Sequence, residues 1–454
     1  MPVRALLSLL VLALVAACGR SGAPPGVAVI SLSVNGVEGG KNSAQVRWLK
    51  EMAPRIEEQL GGRVKVRILA DGGSDESYKA RLVLDLYAGT GADISSFDGF
   101  WTAGMASAGL LPPLDSYLAE WQGWAHFVPT MRRMGEYQGH IYLVPFYTDV
   151  RGIYYRKDLF LQAGLPADWR PRSWQDILDA GRVLAEQAPS DVIPIQWDAG
   201  TSYGEATTMQ GLYLLVLSAG GDLFDREAGR WVVGGAPLQR ALEFYREIYV
   251  TGGLGSRALQ LDPRGRERSF ELFRAGKIGI YAESSWMWTG VLAPGQTWAL
   301  AGREERVGWA PMPGADPELP PVSLSGGGGY ILNRGSPNLP LAWAVLSRLA
   351  SREALEAHLK LAPFIPARQD LIDSEAFRAA SDEMIRRQVR EALPVTTFRP
   401  GLPAYPRVSE LAQQMVEQVV QGRPVRVAME EYARRVEALV GRRQVSGTLS
   451  WRSR

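Results

Sequence analysis

The sequence predicts an α/β protein built as two lobes, and three observations predict it. First, Val27–Val34 (VAVISLSV) is a largely apolar run, as in a strand buried on both faces of a parallel sheet, and helical and strand patterns alternate after it. Second, 454 residues exceed what one hydrophobic core comfortably serves. Third, Gly139–Phe160 (GHIYLVPFYTDVRGIYYRKDLF) holds two apolar runs, His140–Val144 and Gly152–Tyr155, with no hairpin dipeptide between them. Proline fixes φ and lacks an N–H, so the first run should not continue as a central strand through Pro145. A connector between two separate sheets fits this gap better than a turn within one.

The elements follow in order. After the first strand, Asn35-Gly36 and Gly39-Gly40 loosen the chain, and Asn42 or Ser43 offers an N-cap. Val46, Leu49, Met52, Ile56 and Leu60 then recur at helical spacing, with Pro54 expected to kink or split the helix. Val64–Leu69 alternates as a second strand, Tyr78–Leu86 is helical, and Ala92–Trp101 is a third strand running into a loop. Beyond Gly139–Phe160, Ser173 starts a helix, and Val192–Trp197 is a strand that Pro194 places at an edge. Helices are expected over Gly204–Ala219, Gln239–Thr251 and Ser269–Ala275, and a strand over Ile278–Tyr281. Two Pro/Gly-rich breaks follow, Trp309–Pro321 with Ser325–Gly329, and Leu361–Pro366. Both read as further crossings between lobes, with the strand Tyr330–Asn333 and the helix Leu341–Leu349 between them. From Ser374 the chain is mostly helical, and 442–454 reads as a frayed basic tail.

The N-terminus reads as an export signal. Met1–Arg4 is a positive n-region and Ala5–Ala17 an apolar stretch of 13 residues, against about 20 needed to span a bilayer. Val15-Ala16-Ala17-Cys18-Gly19 resembles a bacterial lipobox, which implies lipidation of Cys18, the only cysteine, and a tether over 18–26.

Three strings carry a wider resemblance: G-x-I-Y-x-V-P-F-x-T-D with Y-Y-x-K-D-L-F at the proposed hinge, F-x-x-G-K-x-G-I-Y at Phe273–Tyr281, and I-P-A at Ile365–Ala367. In this order, with the glycine run and the lipobox, the chain resembles the extracellular solute-binding proteins of sugar ABC importers, the maltose-binding-protein-like family. The family's usual Gly-Pro-Trp after the strand ending near Ala282 is Ser284-Ser285-Trp286 here. The resemblance implies a type II periplasmic-binding-protein-like fold. Lobe I would comprise 27–145 and 313–362, lobe II 146–312 and 363–441, joined by a multi-crossing hinge. It also implies a monomer without catalysis or cofactor, anchored at the cell envelope, that hands a sugar to membrane permease subunits.

A sugar presents a C–H-rich face to aromatic plates and a rim of hydroxyls to carboxylates, amides and guanidinium groups. Such pockets form on loops after strand ends. The candidates are therefore Asn35 and Glu38 after the first strand, Asp98 and Trp101 after the third, and Asp149 and Arg151 at the hinge. In the second lobe they are Trp197, Asp198 and Tyr203, then Glu283, Trp286 and Trp288. Gly327 and Gly328 could aim backbone donors into the cleft, and Arg399 and Tyr405 could contribute late in the chain.

Other functions leave weaker marks. A glycosidase would need two carboxylates among Asp98, Asp149, Asp198 and Glu283. Gly200-Thr201-Ser202-Tyr203-Gly204 matches a nucleophile elbow, for which only His358 lies downstream. A scaffolding lipoprotein would have no cleft at all, and polyols, glycerol phosphates and polyamines remain alternative solutes. The three histidines are scattered, the Ser325–Gly329 run lacks a P-loop's Lys, and a net charge of +2 suggests no nucleic-acid partner.

Overall fold

The computed structural model describes residues 26–73 and 75–447, so the signal segment, Cys18 and residues 448–454 lie outside the described residues. Two sheets organise the chain. The first begins with β1 (Ala28–Val34), flanked in parallel by β2 (Val64–Ala70) and β3 (Ile94–Asp98). The helix Ser43–Gln59 connects β1 to β2 and runs through Pro54 without breaking. Pro54 is exposed, so the carbonyl it leaves unpaired faces water, while Met52, Ala53 and Ile56 hold both halves on the core.

Next come β4 (Val144–Thr148) and β5 (Arg151–Arg156), which belong to different sheets. Contrary to expectation, Pro145 lies inside β4, and β4 is not an edge strand. The ladder tolerates it because the register slips opposite Pro145, between Gly328 and Gly329. On its other side β4 is paired only at Tyr147 and Thr148. The missing N–H is thus placed where no ladder bond is required.

The second sheet comprises β5, β6 (Ile193–Gln196), β7 (Ile278–Ser284) and β8 (Val307–Pro311), in the order β8-β5-β7-β6. Pro194 lies on the edge strand β6. Two short connecting strands complete the joint: β9 (Ser323–Ser325) pairs in parallel with Thr396–Phe398. Between them in sequence, β10 (Gly327–Leu332) and β11 (Ile365–Pro366) return to the first sheet, whose order is β11-β4-β10-β3-β1-β2.

This pairing corrects the third expected crossing. Leu361–Pro366 does not leave the first sheet, because Ile365 and Pro366 pair with Thr148 and Tyr147. The passage comes later, at Asp382, which caps the helix Glu383–Ala392 and accepts from the Trp288 indole at 2.6 Å. Gln388 on that helix donates to the Tyr154 hydroxyl of β5 at 2.7 Å. Residues 442–446 are also ordered: Val445 and Ser446 pair with Trp231 and Val232, so this part of the expected tail is docked.

Candidate functional site

Four backbone segments meet at the joint between the sheets. The Ser285 N–H donates to the Val150 carbonyl at 2.8 Å, and the Val150 N–H donates to Ser285 Oγ at 3.3 Å. The Arg151 N–H donates to Ser323 Oγ at 2.9 Å, and Ser325 Oγ lies 2.7 Å from Thr396 Oγ1. Hydroxyl and backbone groups thus tie 149–151, 285, 323–325 and 396 into one hinge.

Asp149 and Arg151 form its charged centre. Both terminal guanidinium nitrogens of Arg151 donate to the Asp149 carboxylate, at 3.0 and 3.2 Å, and Nη1 also donates to the Leu324 carbonyl. The arginine's place at the hinge is thus that of a buried ion-pair partner, its side chain 1% exposed. Burial lowers the arginine's pKa, against the opposing charge of Asp149.

A second polar cluster joins the loop after β3 to the helix after Arg399. Arg399 donates to Glu205 at 3.1 Å, lies 3.6 Å from Asp98 and stacks on the face of Phe100 at 4.1 Å. Glu205 also accepts from the Tyr405 hydroxyl and from Ser409 Oγ. Sequence reasoning passed over Glu205, although it stands directly after the Gly200–Gly204 string.

The third cluster lies at the ends of β6 and β7. Asp198 and Glu283 are both fully buried. Glu283 accepts from the Ser284 N–H at 2.7 Å and is 3.5 Å from the Arg266 guanidinium, which also approaches the rings of Phe270 and Trp286. Burial, then the charge of Glu283, pushes the Asp198 carboxyl up to about 7, against the pull of Arg266.

Several expected contact residues are engaged by other partners within the fold. Trp197 is wholly buried, donates to the Gly211 carbonyl and packs edge-on to Phe244. Trp101 packs on Phe97 and Phe100, while Trp288 lies beneath Arg303 with its N–H on Asp382. Tyr203 is buried against Ser269 and Gln196, and Tyr405 is buried on Glu205. Glu38 pairs with Lys50 on the surface, and Asn35 serves the turn after β1, its carbonyl accepting from Asn42 and its N–H donating to Ser96. Gly327 and Gly328 do not point donors into open space. They are buried ladder residues, and a Cβ on Gly328 would fall 2.7 Å from the Phe97 carbonyl and 3.3 Å from the Tyr147 ring. Their missing side chains let β3, β10 and the Tyr147 ring approach closely.

Two aromatic side chains near the joint are part-exposed, Tyr147 at 38% and Trp286 at 40%. The enzyme alternatives find no support in the geometry. Ser202 Oγ donates to the Asp262 carbonyl, while His358 is enclosed by Trp48, Phe146 and Phe364 in another core cluster. Asp198 and Glu283 come together but are sealed from solvent. No group of three metal-ligating side chains occurs among the described residues, and none of their helices is long and apolar enough to cross a membrane.

Asp198 and His358 give the fold two opposing pH responses. Folded Asp198 holds its proton up to about pH 7, whereas an unfolded Asp releases it near 3.9. Stability from this group therefore rises as pH falls from about 7 towards 4, by at most about 1.4 kcal/mol per unit. His358, which burial lowers to about 3, does the reverse: stability is lost as pH falls from about 6.5. Asp198→Asn should therefore raise the melting temperature over wild type at pH 8, and this advantage should vanish at pH 5. His358→Phe should show its larger advantage at pH 5. Melting curves of the three proteins at both pH values check the pair, and identical differences at the two pH values would contradict it.

Comparison with known proteins places this geometry. Residues 40–356 match the family described as bacterial extracellular solute-binding protein. A Thermotoga lettingae ABC transporter solute-binding protein, solved with α-D-tagatose, superposes with a TM-score of 0.76 over 92% of this chain and 100% of that one, at 23% identity. Maltose-bound MalE3 of T. maritima gives 0.75 over 91% and 100%, at 21% identity. The mannitol-binding protein of Pseudomonas aeruginosa is 28% identical over 214 residues, 46% of this chain and 45% of that one. The fold is thus the two-lobed α/β solute-binding fold, and the family match covers well over half of the sequence. The chain belongs to the bacterial extracellular solute-binding proteins, a family of binding proteins rather than enzymes.

Proposed function

We propose that this protein captures a sugar or polyol between its lobes and delivers it to the permease of an ABC importer. The hinge carries the reading: two sheets joined through 149–151, with the part-exposed side chains of Tyr147 and Trp286 within three residues of the Val150–Ser285 contact. The lobes would be 27–148 with 326–380 on the first sheet, and 151–311 with 382–447 on the second. Ligand touching both would favour the closed arrangement by its higher affinity for that state. The ligands named for its relatives, mannitol, tagatose and maltose, support this class.

Ligand that binds only the folded state raises stability by mass action, by about 2.7 kcal/mol at one hundred times Kd. A thermal-shift panel of D-mannitol, D-tagatose, lactose and maltose should therefore contain at least one stabilising compound. No response to any would overturn the sugar and polyol reading.

We also propose that Cys18 is lipidated and tethers the protein to the membrane, on the support of the Val15–Gly19 string. A tether raises the local concentration at the permease. In a bacterial host, wild type should partition into the detergent phase of a membrane extract and Cys18→Ser into the aqueous phase. A Cys18→Ser protein that still partitions with detergent would refute lipidation.

A further inference from the structure

We propose that Arg266 and Gly290 are positioning residues for Trp286, seating its indole in one orientation ready for the ligand. The proposal rests on the solute-binding reading above and names the residues that prepare the second lobe's aromatic surface.

An exposed ring that samples several rotamers loses that freedom when a ligand presses on it, and affinity falls accordingly. A ring already confined by its neighbours has less freedom to lose. Trp286 stands between the end of β7 and the wide helical turn Met287–Val291. It is 40% exposed, yet three neighbours confine it. A Cβ on Gly290 would fall 2.0 Å from Trp286 Nε1 and 2.5 Å from its Cδ1, and the three atoms nearest that position all belong to the indole. Gly290 is not among the glycines with positive φ. Its missing side chain therefore makes room for the indole and not for a turn of the backbone. Phe270 meets the ring edge-on, with centroids 5.8 Å apart. The Arg266 guanidinium lies 5.8 Å from the centre of the Trp286 ring and 5.5 Å from that of Phe270.

This seat is anchored in the core of the second lobe. Arg266 and Phe270 stand at i and i+4 of the helix Gly265–Arg274, so they share one face of it. Phe270 is 3% exposed and packs on Tyr281 of β7 and on Trp298. Arg266 lies 3.5 Å from Glu283, which is fully buried near the end of the same strand. A buried carboxylate thus holds the guanidinium, and the guanidinium lies beside the ring. Strand β7 supplies the anchor and, two residues beyond its end, the indole itself.

Calorimetric titration and tryptophan emission of the intact protein test the assignment. The probe is whichever of D-mannitol, D-tagatose, lactose and maltose binds wild type most tightly. Gly290→Ala should weaken it by about tenfold or more, although Trp286 itself is unchanged. Arg266→Met should weaken it by about fivefold or more. Arg266→Lys should recover most of that loss, because an ammonium keeps the charge that faces Glu283 and the ring. On a Trp286→Ala background, Gly290→Ala and Arg266→Met should each change affinity by less than about twofold, as expected of residues that act through the indole. The emission that wild type loses in Trp286→Ala belongs to this indole, and Gly290→Ala should make it more accessible to acrylamide. Wild-type affinity in Gly290→Ala, with Trp286→Ala strongly weakened, would overturn the seat and leave the solute-binding reading intact. Losses of equal size with and without Trp286 would also overturn it, since the two residues would then be merely structural. No binding by any of the four compounds would overturn the sugar and polyol reading, and unchanged acrylamide quenching in Gly290→Ala would by itself overturn the seat.

Discussion

Replacing Asp149 by alanine is expected to destabilise the protein by about 3–5 kcal/mol, the cost of leaving one member of a buried ion pair alone. The Arg151 guanidinium, 1% exposed, would keep the Leu324 carbonyl as an acceptor but lose its carboxylate. Asp149 also accepts from the Gly326 N–H, so the same change frees a backbone donor in the hinge. Such a loss is a large share of the 5–15 kcal/mol typical of folded domains. The double variant Asp149→Ala with Arg151→Met should recover most of it, since a well-packed apolar pair of similar volume often matches a buried ion pair. Urea unfolding of wild type, single and double variants measures the effect. A single variant within about 1 kcal/mol of wild type would show that the pair is more solvated than its burial implies.

Trp286→Ala is expected to act on binding rather than on folding. The indole is 40% exposed and packs on Phe270 by one edge, so its loss opens no core cavity. Truncating a central aromatic anchor typically costs at least about 2 kcal/mol of affinity, or roughly thirtyfold. The unliganded melting temperature should stay close to wild type, while the shift caused by the best ligand of the panel should largely disappear. An unchanged ligand-induced shift would remove Trp286 from the site.

The hinge was legible in the sequence because proline and the absence of a hairpin dipeptide are local signals. The chain does change sheets between Thr148 and Arg151, as the stretch suggested. Pro145 itself was misjudged, since the register slip that accommodates it is made by Gly328 and Gly329, almost two hundred residues away. The glycine run misled for a related reason. Glycine carries no strand propensity, so a buried strand of glycines signals itself only through the close approach of its neighbours. The third crossing was misplaced because Leu361–Pro366 has the composition of a break, whereas the true passage at Asp382 is marked only by a helix cap.

The candidate site was less legible than the fold. A tryptophan after a strand looks the same in sequence whether it faces a cleft or a core. Trp288 and Trp286 stand two residues apart, yet one is 1% exposed and the other 40%. The partners that decide this, Asp382 and Arg303 for Trp288, come from distant segments. Glu205 and Arg266 were missed because neither carries a motif, and their roles come from Arg399 and Glu283. Tyr147 lay within the hinge stretch, two residues after Pro145 on β4, and nothing in the sequence marked its side chain as part-exposed.

The central claim is that a ligand bridges the two lobes at this hinge and draws them together. Small-angle X-ray scattering with and without the most stabilising compound of the panel tests it directly. The account predicts a smaller radius of gyration on saturation, and no such change for Trp286→Ala at the same ligand concentration. Tight binding with an unchanged radius of gyration in the wild-type protein would contradict it.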